Sequence, residues 1–79
     1  MIRYLLKERI ADKEFKEKRK ITFDEISKEA GISRTTVSRI INTYGYKTST
    51  DVLDKLCDYF QCDLCKIAEH VPDSEQSAE

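Results

Sequence analysis

Thr35, Ser38, Arg39 and Asn42 recur at i, i+3, i+4 and i+7 in the stretch RTTVSRIIN, a spacing that sets them along one face of a helix. All four are polar and none is acidic. Arginine carries a planar fork of donors that can take guanine in two bonds, asparagine can pair with adenine, and hydroxyls serve bases or phosphates. Ser33 and Arg34 stand at the start of the same helix, where unpaired backbone N–H groups favour an anion. Val37, Ile40, Ile41 and Tyr44 repeat at the complementary positions, so the helix also has a stripe to bury. The chemistry such a face could do is recognition of a nucleic-acid duplex. The plainer reading is the solvated outside of a small helical bundle, since polar outer faces are its default.

The remaining reactive side chains form weaker patterns. Cys62, Cys65 and His70 match the first three ligands of a zinc knuckle, but the fourth position holds Glu75; Cys57 could stand in for it. Against zinc, Cys57 lies on an apolar stripe, where a reduced cysteine behaves as a small hydrophobe. We therefore expect no metal and no cofactor. The lone histidine has no serine or cysteine partner at a recognisable spacing, and no glycine-rich phosphate loop is present. The expectation is a protein that is not an enzyme.

The elements that must position the polar face follow from local signals. Residues 6–20 interleave Leu6, Ile10 and Phe15 with opposite charges three and four apart, which predicts a charge-laced first helix with a thin apolar stripe. Thr22 with Glu25 three residues on has the form of a capping box, opening a second helix that aligns Phe23, Ile26 and Ala30. Gly31 ends that helix and Ser33 caps the third. Small or apolar side chains are wanted where the two helices cross, and Ser27, Ala30 and Ile32 fit there. A loop pivoting on Gly45 leads to a fourth helix, capped by Ser49 or Thr50, with Leu53, Leu56, Cys57 and Phe60 on its inner side. The N-terminal IRYL and a segment stopped by Pro72 are the β-like stretches, and an antiparallel pair between them is expected. The acidic tail, residues 74–79, has nothing to bury and is expected to be flexible.

Seventy-nine residues make one domain, with only two glycines and one proline for turns. The net charge of −1 hides an asymmetry: residues 1–50 carry a balance of +5 and residues 51–79 one of −6. One end can thus meet a polyanion while the other avoids it; the plainer reading is that a charged first helix merely solvates the domain. There is no signal-like or membrane-spanning apolar run, and three cysteines fit a reducing compartment. A cytoplasmic protein without membrane attachment is expected.

The stretch TFDEISKEAGISRTTVSRI resembles the helix-turn-helix of the phage Cro and lambda-repressor superfamily, the XRE-type regulators. The likeness extends over about residues 1–73, through MIRYLLKERIADKEF and TDVLDKLCDYFQCDLCKIAEHVPD, which are similar to a compact bacterial subgroup. The resemblance implies an all-α bundle of four or five helices, possibly with a short terminal β pair, whose motif occupies about residues 22–43. It also implies double-stranded DNA as partner, major-groove reading by the third helix, transcriptional regulation, most simply repression, and a homodimer. The recognition residues would be Ser33, Arg34, Thr35, Thr36, Ser38, Arg39 and Asn42, with Tyr44, Lys47 and Thr48 in a loop that touches phosphates. Phe23 departs from the glutamine with which many relatives clamp a phosphate, so Lys20, Thr22 or Lys28 would have to supply that contact. Ser27 replaces the usual alanine at the crossing, and KEFKEKRK lengthens the first connection. No small-molecule effector is expected, since no second domain is present to bind one. The alternative is a protein-interaction module, or antitoxin-like partner, on the same fold. That reading predicts a more apolar outer face on the third helix. For the homodimer, the suspected contact surfaces are Ile2 and Tyr4 or Ile67 and Val71.

Overall fold

Three hydroxyl side chains open three of the four helices. In the computed structural model, which describes residues 1–43 and 45–72, Thr22, Ser33 and Ser49 each accept a backbone N–H three residues on, from Glu25, Thr36 and Val52. Each satisfies a donor that the first helical turn leaves without a partner. The helices they cap are α2 (Phe23–Ala30), α3 (Arg34–Asn42) and α4 (Thr50–Phe60). Helix α1 (Leu6–Glu17) precedes them without a side-chain cap. A single 3-10 turn, Leu64–Lys66, follows α4. Strand β1 (Ile2–Tyr4) pairs antiparallel with β2 (Ala68–His70), Arg3 opposite Glu69, so the expected terminal β pair is present.

The core lies among all four helices and the β pair. Leu6, Ile26, Val37, Leu56 and Ile67 are fully enclosed, and Ile21, Ile32 and Ile40 nearly so. Helix α2 packs on both α3 and α4. Between α2 and α3 the chain turns at Gly31, whose φ of 76° is the left-handed region glycine enters freely. Ser27 fastens this turn from both sides. Its carbonyl accepts from the N–H groups of Gly31 and Ile32, at 3.0 and 3.2 Å, while its hydroxyl donates to the Ile32 carbonyl at 2.5 Å. A serine here therefore supplies a bond that alanine would lack.

Three expectations are corrected. The first helix stops at Glu17 rather than Lys20, because Lys18 turns left-handed at φ 55°. The Glu14 carboxylate then accepts the Ile21 N–H at 2.8 Å, holding the connection closed. Phe15 is not part of the apolar stripe but 85% exposed: it stands nine residues after Leu6, about 180° around the helix at about 100° per residue. Ile67, suspected as an exposed contact residue, is wholly buried, and its carbonyl accepts the Leu5 N–H at 2.7 Å. The capping box at α2 is half formed. Thr22 caps Glu25, but the Glu25 carboxylate is gripped by the Arg19 guanidinium in two bonds of 2.7 Å. That grip holds the Glu25 carboxyl below its ordinary range.

Candidate nucleic-acid interface

Burial of Val37 and Ile40 fixes the rotation of α3 about its axis and turns the other side outward. Arg34, Thr35, Arg39 and Asn42 are exposed there, and Ser38 is half-buried. Ser33 and Thr36 sit at the helix start and are occupied with each other. The Ser33 hydroxyl donates to Thr36 Oγ1 at 2.8 Å and accepts the Thr36 N–H at 3.0 Å. Further along, Asn42 Nδ2 donates to Ser38 Oγ at 3.3 Å, one turn back.

The two arginines differ. Arg34 Nε lies 3.0 Å from Asp24 Oδ1, an ion pair that reaches across the turn from α3 to α2. Arg39 makes no ion pair among the described residues. Both line an open groove of about 430 Å3 with Thr35, Ser38 and the ring of Phe23. Asn42 borders a separate, smaller hollow between α3 and β1, next to Arg3 and Tyr4.

Gly45 is left-handed, at φ 69°, and lies so near the N-terminus that a Cβ there would meet the Met1 sulfur at 3.1 Å. Exposed Lys47 and half-buried Thr48 line a different, largely apolar groove with Met1, Tyr4, Tyr46 and Leu53. Burial pushes the Tyr4 hydroxyl above its ordinary range, opposed by a hydrogen bond with the Thr48 backbone. Tyr44 lies outside the described residues.

A family model of the Cro/C1-type helix-turn-helix DNA-binding domain matches residues 2–73. The chain belongs to that family. No curated protein and no solved structure matches it.

As a Cro/C1-type domain, the chain is a DNA-binding protein of the kind that regulates transcription, in a family of non-enzymatic regulators. Helices α2 and α3 are joined at Gly31 by the turn that Ser27 fastens. Among the described residues, no group of His, Cys, Asp and Glu is placed to hold a metal ion. The three cysteines are free, Cys57 and Cys62 half-buried and Cys65 exposed. Burial raises the Cys57 and Cys62 thiols, which makes them poorer nucleophiles. No helix among the described residues is long and apolar enough to cross a membrane. Two neighbours of the polar face escaped sequence reasoning: Asp24 as partner of Arg34, and Phe23 as part of the groove. Both stand in the first turn of α2, at the end away from Gly31, so their approach to α3 depends on how the two helices pack.

Proposed function

We propose that this Cro/C1-type domain reads a specific sequence in the major groove of duplex DNA with α3, and represses transcription as a cytoplasmic homodimer. The observation that carries the reading is the outer face of α3, where Arg34, Thr35, Arg39 and Asn42 are exposed with no acidic side chain among them. A protein-interaction module would present an apolar face there instead, as interface centres are depleted in charge. In this reading Arg34, Thr35, Ser38, Arg39 and Asn42 meet base edges. Ser33 and Thr36 shape the helix start near the backbone, and Tyr44, Lys47 and Thr48 approach phosphates. Residues 1–73 act as the whole DNA-binding unit, and the acidic tail at 74–79 lies outside the described residues. Exposed Ile2 and Leu64 flank the same apolar groove and support a homodimer. No effector molecule is required by this mechanism.

The test is titration of the protein against random duplex DNA at two salt concentrations, with sequencing of the retained fraction. Salt-dependent binding that enriches a two-fold-related motif supports the reading. Binding without any enriched motif refutes sequence-specific regulation and favours the interaction module.

A further inference from the structure

The first turn of α2 delivers an aromatic ring to the polar side of α3. Phe23 is half-buried: it packs against the core and also lines the open groove with Arg34, Thr35, Ser38 and Arg39. Of these, Phe23 alone is apolar. The Asp24 carboxylate, next in sequence, holds one wall in place through its 3.0 Å pair with Arg34.

At the position of Phe23 that lining is poorly suited to a phosphate. An aromatic ring gives an anion neither a donor nor a charge, and bringing a phosphate against it removes water without replacement. It suits a base edge that carries a carbon group beside a hydrogen-bond acceptor. In the major groove only thymine has that edge, with its 5-methyl group next to O4. The groove offers an apolar surface for the methyl and, from Ser38 and Arg39, donors for the oxygen.

We propose that Phe23 is a specificity-determining residue whose ring receives the 5-methyl group of one thymine in each half-site, while Ser38 or Arg39 donates to O4 of that base. The assignment rests on the major-groove reading above. A position occupied in many relatives by a phosphate-binding glutamine thus serves here to read sequence.

The experiment is a thymine-to-uracil scan of the selected duplex, each thymine replaced in turn by deoxyuridine, which deletes only the methyl group. Affinity of the full wild-type chain is read by fluorescence anisotropy at fixed salt. One thymine per half-site should lose about fourfold on replacement, the worth of one buried methyl. Phe23→Ala should bind the thymine and uracil duplexes equally at that position, and Phe23→Leu should keep a preference for thymine. Since Phe23 also packs on the core, each variant is first checked for its melting transition; the wild-type scan needs no variant. A scan with no position sensitive by more than twofold overturns the assignment and leaves duplex reading intact. Undiminished uracil sensitivity in Phe23→Ala also overturns it. Failure to select any duplex would sink the functional reading instead.

Discussion

Replacing Arg39 and Arg34 by alanine, one at a time, should separate two arginines that the sequence makes look alike. In the proposed reading Arg39 would meet DNA with no ion-pair partner to give up among the described residues. A bidentate contact to a base edge discriminates by about 1–3 kcal/mol, so Arg39→Ala should weaken the preferred site by roughly 5- to 150-fold. Arg34 must first leave Asp24, or share it. Its pair is exposed, with 67% of the arginine side chain and 75% of the aspartate open to water, and an exposed pair is worth about 0–1 kcal/mol. Arg34→Ala should therefore cost up to about 1 kcal/mol less than Arg39→Ala for a similar contact. Neither substitution empties the core, so melting should move by less than the equivalent of about 0.5 kcal/mol. The assay is anisotropy against the selected duplex and against every single-base variant of it. Arg39→Ala should flatten discrimination at one position per half-site. An equal loss on all sequences would make Arg39 a phosphate contact, and a larger loss for Arg34→Ala would refute the claim that Asp24 discounts its neighbour.

Three further outcomes test the scaffold. Ile67→Ala, at a fully enclosed site, should cost about 2–5 kcal/mol in urea unfolding, a large share of the roughly 4–12 kcal/mol expected for a chain of this length; a loss within experimental error would mean the C-terminal segment is not anchored in the core. Gly31→Ala has open space around the new Cβ, so its cost is backbone strain alone, roughly 1 kcal/mol at φ 76°, and no loss in the same assay would show that the turn can relax. The depressed Glu25 carboxyl contributes stability above its unfolded value of 4.5 and loses it as pH falls through its lower folded value. The melting advantage of wild type over Glu25→Gln should hold in neutral buffer and shrink in acid below that value; an advantage that grows with acidity would contradict the Arg19 pairing.

The elements most legible in the sequence were those set by nearest neighbours. Thr22, Ser33 and Gly31 act on groups within five residues of themselves, so their types and spacing carry the information. The same locality made the two faces of α3 readable. Helix α1 misled because charge spacing continues beyond Glu17, while the left-handed turn at Lys18 uses a residue with no conformational signature. Counting Phe15 into the stripe ignored the half-turn separating it from Leu6. Ile67 was illegible for a different reason: its burial depends on a strand pairing with residues more than sixty positions earlier. The Asp24–Arg34 pair and the place of Phe23 likewise exist only once two helices are packed.

The pairing of β1 with β2 also sets an order of events. Joining residues 1–5 to residues 67–71 closes a loop nearly as long as the chain, the largest closure entropy in the molecule. The α2–α3 unit needs only near-neighbour contacts and can form early. Closing the ends comes last, and on a ribosome it must wait until Ile67 has emerged. The same strands are then the first to open, in a motion limited by withdrawal of the Ile67 side chain rather than by a few strand hydrogen bonds. Amide exchange in those segments would report the strength of that latch.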